Sequence, residues 1–265
     1  MSHAGPTYHP TATGEAATTV ADHQSHQDIT LWAGWFCPFT QRAWIALEEL
    51  GIPYHYKEIN PYLKEKNFLA ISPKGLVPAL TVSSGAINDS INICLYLTDA
   101  YATPATFRSS LLPNTPFLRA IARHWLTHIS SAVIPAFFRL LQAQPSEPEV
   151  QARAREELAA ALGQLAQARR GKEWFFSEQE GGFGIVDIAI APWAVREFVI
   201  RGHRGWKRDE IGGGWASWAD RLLERESVKK TTSDRDKYVD FNRTFLRNEE
   251  HSQAGLAARK RQDIP

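Results

Sequence analysis

The chain has 265 residues, 43% hydrophobic and 22% charged, and its 30 Lys and Arg against 29 Asp and Glu leave a formal net charge of +1. That balance provides no electrostatic attraction for nucleic acid or an anionic membrane, and no run approaches the roughly 18 to 20 apolar residues that span a bilayer. Two cysteines, Cys37 and Cys94, are too few for a secreted disulfide framework, so a reducing, cytoplasmic location is expected.

Residues 1–28 contain no Lys or Arg and few large apolar residues. They lack the basic and apolar stretches of a leader and are expected to form a disordered tail. His3, His9, His23 and His26 show no metal-ligand spacing. A short strand is expected at 29–32 and a helix at 41–50. Gly51-Ile52-Pro53 then caps and stops that helix before an aromatic-rich strand at 54–59. So short a β-α-β connection implies parallel strands. An irregular helix at 64–70 and the turn chemistry of Ser72-Pro73-Lys74-Gly75 lead to strands at 76–82 and 83–88, joined by a tight hairpin. Pro78 stands at a strand start, where proline is tolerated. Ile91, Cys94, Leu95 and Thr98 recur with helical spacing behind Asp89 or Ser90 as N-cap. The order β-α-β-α-β-β-α, with a cysteine where the first helix begins, is a thioredoxin-like α/β arrangement for residues 29–101.

Residues 102–116 carry Pro104, Pro113 and Pro116 and are expected to link two domains. An all-helical domain should follow over 117–247: a long helix at 117–141 kinked by Pro135, then helices at 148–170, 187–200, 215–225 and 234–247. The charged segment 248–265 is expected to be a mobile tail. Cys94 lies in an apolar helical stripe and reads as core. Gly212-Gly213-Gly214 lacks the preceding strand of a nucleotide loop and reads as a flexible connection. His124 and His128 lie one helical turn apart but have no third ligand at suitable spacing, and no metal site is expected.

Chemistry concentrates at Trp35-Phe36-Cys37-Pro38-Phe39. Pro38 suits a first helical position, so Cys37 sits at or just before a helix N-terminus, where the amides and the macrodipole favour a thiolate. Local sequence alone leaves open a buried cysteine that packs as a small hydrophobe.

Three ordered motifs narrow the reading. Trp35-Phe36-Cys37-Pro38-Phe39 resembles the F-C-P-F signature of omega-class glutathione transferases. Gly75-Leu76-Val77-Pro78-Ala79-Leu80 is similar to their G-L-V-P-x-L. Asn88-Asp89-Ser90-x-x-Ile93-x-x-Tyr96-Leu97 is similar to their E-S-x-x-I-x-x-Y-L. The likeness runs over roughly residues 29–246 and implies a thioredoxin-like domain followed by an all-α glutathione-transferase domain. It further implies glutathione as co-substrate, a homodimer, and a cis peptide before Pro78. Val77 would pair its backbone with the cysteinyl moiety, Asp89 and Ser90 would hold the γ-glutamyl end, and Lys64 would meet the glycyl carboxylate. The implied activity is thiol transfer or reduction through a Cys37–glutathione mixed disulfide, on dehydroascorbate, disulfides, α-haloketones or glutathionyl conjugates. The alternatives are a conjugating or ether-cleaving transferase for an aromatic metabolite, and a non-catalytic ligand carrier.

An acceptor pocket is expected between the domains, with Trp125, Phe138, Arg196 and Tyr238 as its candidates; Tyr238 falls where the omega class carries a cleft aromatic. The pattern departs in several places: the N-terminus is extended, and Thr40 stands where an Ala follows Cys-Pro-Phe. Aspartate replaces the glutamate of the E-S pair, one methylene shorter, which should weaken the hold on the γ-glutamyl ammonium. In the second domain Gly184 stands where a Ser or Thr cap precedes Asp187.

Overall fold

The computed structural model describes residues 8–63, 65–101, 110–250, 252–261 and 264. Its sheet is built from β1 (Thr30–Ala33), β2 (His55–Glu58), β3 (Ala79–Val82) and β4 (Gly85–Asn88), in the order β2-β1-β3-β4. β1 runs parallel to β2 with Trp32 opposite Lys57, and antiparallel to β3 with Leu31 opposite Leu80. β3 and β4 form the expected hairpin.

Period-two alternation splits β1: Leu31 and Ala33 are buried, while Trp32 turns to the other face. That second face is covered by α3 (Lys66–Ile71), whose Phe68 lies beside Trp32, with Ile59, Val77 and Ala79 in the same apolar cluster. α2 (Pro38–Leu50) and α4 (Ser90–Tyr101) pack against each other. α2 begins three residues earlier than its periodicity suggested, because Pro38 is accepted in the first turn and Cys37 becomes the N-cap. Its end is set by Gly51 in the left-handed region, φ 58°.

The chain divides into two compact units, one of Met1–Leu112 with Glu224–Phe241 and one of Pro113–Leu223 with Asn242–Pro265. Most of the linker expected at 102–116 lies outside the described residues.

The segment before β1 is no disordered tail where it is described. Residues 14–22 form α1 (Gly14–Asp22), which packs on α10 (Glu226–Lys230) within the first unit. Polar pairing holds it: Thr19 Oγ1 donates to the Lys230 carbonyl at 2.8 Å, Thr13 N to Ser233 Oγ at 3.2 Å, and Asp234 N to Thr13 Oγ1 at 3.0 Å. Gly14 (φ +57°) is required there, since a Cβ would stand 2.7 Å from Asp234 Oδ1.

The second unit is helical, centred on α8 (Ile185–Arg204), which is buried along most of its length and packs on α5 (Pro116–His128) and α6 (Ile134–Gln142); α7 (Pro148–Ala168) lies against α6, and α9 (Trp215–Glu224) follows α8 in the chain. The break between α5 and α6 precedes Pro135: residues 129–133 form a π-helical turn and Pro135 lies in the first turn of α6. A proline has no N–H for the carbonyl four residues back and crowds it, and a wider turn relieves both. Gly184 is the N-cap of α8 as expected, and Asp187, three residues on, accepts from Gly184 N (3.1 Å) and also takes Phe175 N (3.0 Å) and Trp218 Nε1 (2.9 Å). The segment 248–265 is likewise not simply a mobile tail. α12 (Gln253–Arg259), capped by Ser252, buries Ala257 and Ala258 and takes a hydrogen bond from Gln142 Nε2 to the Gly255 carbonyl at 3.3 Å.

Candidate functional site

β1 delivers the chain to Gly34, and a tight turn closes with Cys37 N donating to the Gly34 carbonyl at 2.9 Å. Cys37 is half-buried at the N-cap of α2, with its own carbonyl accepting from Gln41 N at 3.1 Å. Its Sγ donates to the Val77 carbonyl at 3.6 Å, and the Val77–Pro78 peptide is cis. The loop before it is held by Ser72, whose hydroxyl donates to the Leu76 carbonyl (2.8 Å) and accepts from Leu76 N (3.1 Å). A thiol at a helix N-terminus is thereby set against a backbone carbonyl that ends an exposed turn.

At the start of α4, Asp89 takes φ 75° and its Oδ1 accepts from Ile91 N (3.0 Å) and Asn92 N (2.9 Å). Asp89 is thus the cap, and it is exposed, while Ser90 is buried and accepts from Arg42 Nη1 at 3.3 Å. The role of Arg42 was not foreseen from the sequence. Burial pushes its guanidinium down to about 10, opposed by attraction to Cys94, Asp89 and Cys37. One buried cation therefore joins the two helix N-termini that carry Cys37 and Ser90. The available signal was an arginine directly before the apolar run Ala43–Leu47 of the helix, five positions after the cysteine. Cys94 is a core residue as expected: it is fully buried, its Sγ donates to the Arg42 carbonyl at 3.6 Å, and burial pushes its thiol up to about 12.

Cys37, Val77, Asp89 and Ser90 share the first unit, whereas Lys64 lies outside the described residues. Tyr238, also in that unit, is fully buried with its ring 5.4 Å from that of Trp35 and its hydroxyl accepting from Ser233 N. The other acceptor candidates belong to the second unit. Trp125 is half-buried beside His124, His128 and Phe175; Phe138 is buried against Phe245; Arg196 is buried and donates to the Pro192 carbonyl at 2.8 Å. A further aromatic group adjoins the cysteine: Phe36 stacks on Phe241 at 4.2 Å, with Tyr8 at 4.5 Å and Tyr62 at 6.3 Å.

Residues 36–100 match the glutathione S-transferase N-terminal domain family. Across almost the whole chain the fold is similar to that of glutathione transferase Omega 3C from Trametes versicolor, with 45% sequence identity, a TM-score of 0.81, and coverage of 90% of this chain and 99% of that one. The chain belongs to the glutathione transferase family. This glutathione transferase is also 27% identical over 237 residues to a probable glutathione S-transferase of Oryza sativa subsp. japonica, covering 83% of this chain and 95% of that one. A rice glutathione transferase solved in complex with glutathione is 26% identical, with a TM-score of 0.72 and coverage of 85% and 100%. The family match takes in Cys37, Val77, Asp89 and Ser90, and leaves Trp125, Phe138, Arg196 and Tyr238 beyond it. Among the described residues no helix is long and apolar enough to cross a membrane.

Proposed function

We propose that this glutathione transferase is an omega-like, glutathione-dependent thiol transferase or reductase, working as a cytoplasmic homodimer with Cys37 as nucleophile. The observation that carries the reading is the placement of Cys37 Sγ at the N-cap of α2, 3.6 Å from the Val77 carbonyl. Glutathione laid in an extended form along Val77 brings its own sulfur to Cys37, with backbone pairing of the kind a strand makes. The N–H and hydroxyl of Ser90 receive the γ-glutamyl carboxylate, Asp89 attracts the ammonium, and Lys64 meets the glycyl carboxylate. Arg42 fixes the Ser90 oxygen by donating to it, which leaves the hydroxyl hydrogen for the ligand.

The Cys37 thiolate attacks the glutathionyl sulfur of a mixed disulfide, forming Cys37–S–SG and expelling the substrate thiolate. A second glutathione thiolate attacks the same sulfur, forming glutathione disulfide and restoring Cys37. Sulfur–sulfur bonds are exchanged one for one: one glutathione thiol is consumed, the substrate leaves as its thiol, and the glutathionyl group it carried ends in glutathione disulfide.

On the acceptor side, Trp125 is the candidate with ring surface to offer, Tyr238 would act by packing behind Trp35, and the buried Phe138 and Arg196 would act only through the packing around them. The aromatic group around Phe36 supports a second reading, conjugation to an aromatic electrophile.

Replacing Cys37 by Ser separates these readings. Disulfide turnover should vanish, since a hydroxyl forms no mixed disulfide, while glutathione affinity by calorimetry should change little. The serine hydroxyl can donate to the glutathione thiolate. At about 1.5 to 3 kcal/mol for a bond to a charged group, or roughly one to two pKa units, this should raise conjugation with an aryl halide. Retained disulfide reduction in Cys37→Ser would remove Cys37 as nucleophile. Loss of both activities with binding intact would keep the nucleophile and discard conjugation by the variant. Binding without turnover in the parent would indicate a carrier.

A further inference from the structure

Trp35, two residues before the thiol, is held by both of its nitrogens. Its backbone N–H donates to Glu58 Oε1 at 3.0 Å and its indole Nε1 donates to the His9 carbonyl at 2.9 Å. The second oxygen of Glu58 accepts from the Tyr56 hydroxyl at 2.9 Å. On either side the turn is pinned by Ile59 N to the Ala33 carbonyl (2.6 Å) and by Cys37 N to the Gly34 carbonyl (2.9 Å).

Strand periodicity explains why the neighbouring lysine does not stand beside this carboxylate. Along β2, Tyr56 and Glu58 share one face and Lys57 takes the other, where its ammonium sits 4.2 Å over the Trp32 ring. Among the described residues, the titratable groups that face Glu58 are Tyr56 from its own strand and Tyr8 from the N-terminal segment, whose hydroxyl is raised by burial and by Glu58. From α11 (Arg235–Leu246), Tyr238 packs on the Trp35 ring and interacts with Tyr56.

We propose that Glu58 is a positioning residue for Cys37: its carboxylate fixes the Trp35 amide, and with it the turn that presents the thiol, and its protonation loosens that turn. The proposal rests on the reading of Cys37 as the nucleophile. Burial pushes the Glu58 carboxyl up to about 7, against hydrogen bonds from Trp35 N and the Tyr56 hydroxyl that favour the charged form. Below that value the group is neutral, and its bond to the Trp35 amide loses the assistance of charge. Above it, the turn is held firmly in the same direction of pH in which any thiol yields more thiolate.

The test uses the full chain and two variants, Glu58→Gln and Tyr56→Phe. Amide hydrogen exchange at Trp35 and its neighbours, corrected for the intrinsic rate, is measured at pH 6 and pH 8 together with the rate of Cys37 alkylation by iodoacetamide across that range. In the parent, protection of the Trp35 amide should be roughly tenfold greater at pH 8, the size of a charge-assisted bond gained. The alkylation profile should show a bend near 7 in addition to the thiol's own. Glu58→Gln keeps an acceptor for Trp35 but does not titrate, so protection should be equal at the two pH values and the extra bend absent. Tyr56→Phe removes a donor that favours the carboxylate, so the bend should move to higher pH. A parent whose Trp35 protection is the same at both pH values, or a Glu58→Gln protein that retains the parental pH dependence, would overturn the proposal. Amide protection involves no cysteine chemistry, so this outcome is distinct from failure of the nucleophile, which is read from disulfide turnover in Cys37→Ser.

Discussion

Asp89 has a capping role in the structure and, under the proposed function, a ligand role as well. In the left-handed region at φ 75° it uses Oδ1 to cap two amides of α4, a conformation that Asp and Asn tolerate better than longer residues. A shorter acid than the family's glutamate therefore fits a capping geometry, at the expense of reach toward an ammonium. Asp89→Asn isolates the two roles. Asparagine caps about as well as aspartate, so unfolding free energy should stay within about 0.5 kcal/mol of the parent. The negative charge is lost, and glutathione affinity should fall by up to roughly fivefold, since a partly screened ion pair contributes up to about 1 kcal/mol. Calorimetry with glutathione beside a urea titration checks both, and equal affinity would show that Asp89 is a cap alone. The placement of Cys37 and of the capping pair was legible in the sequence because each is a local matter of a helix start. Arg42 and Glu58 were not, because what makes them matter is burial against residues distant in sequence.

Among the elements, the β-α-β-α-β-β-α order was readable from alternation, helical periodicity and the Gly and Pro stops. α1 was not, for a physical reason: it buries only Ala16 and Thr19 along its length and so carries no apolar stripe. Its attachments are polar and distant, to Lys230 and Ser233, and at its end His23 meets strand β2. There Tyr56 N donates to the His23 carbonyl at 2.8 Å, and the imidazole stacks on Tyr54 with Nε2 3.3 Å from Glu48 Oε1. Burial disfavours the charged ring of His23, but the hydrogen bond and charge of Glu48 outweigh it and raise His23 above its ordinary 6.5. Burial likewise works against ionised Glu48, and the bonds from His23 and Tyr54 lower it below 4.5. The histidine contribution is complete below 6.5 and is lost as pH rises through the raised value. The glutamate contribution is complete above 4.5 and is lost as pH falls through the lowered one. Together they hold α1 most firmly between those limits. His23→Gln should therefore lower stability by about 1 kcal/mol near pH 5.5, and by less near pH 8.5. Urea midpoints of parent and variant across pH provide the comparison, and a difference that grows toward pH 8.5 would refute the latch.

For the whole molecule, the boundary that sequence composition suggested and the units that packing defines are different things. Composition shifts at a proline-rich stretch, but the first unit is completed by Glu224–Phe241, which returns to it after the helices of the second. The sequence carries no local mark of that return: of this segment only the helix at 234–247 is expected, and α10 is not anticipated. Its contacts are substantial. Gln41, buried in α2, donates through Nε2 to the Thr231 carbonyl at 3.1 Å and to Thr232 Oγ1 at 3.0 Å. Glu49 takes a two-point bond from Arg225, at 2.8 and 2.7 Å, and a third from Ser227. Tyr238 and Phe241 cover Trp35 and Phe36 beside the thiol. A fragment of residues 1–116 would contain the entire sheet yet lose all of these. An orphaned buried amide or carboxylate costs about 1 to 3 kcal/mol, and two exposed aromatic faces add to that. A domain whose whole stability is about 5 to 15 kcal/mol has little margin for such losses. The fragment should keep helical circular dichroism but melt without a cooperative transition, and its Cys37 should react with iodoacetamide no faster than a free thiol. Adding a peptide of residues 224–241 in excess should restore some of the cooperativity. A sharp melt from the fragment alone, at the temperature of the intact chain, would show that the returning segment only decorates a domain already complete.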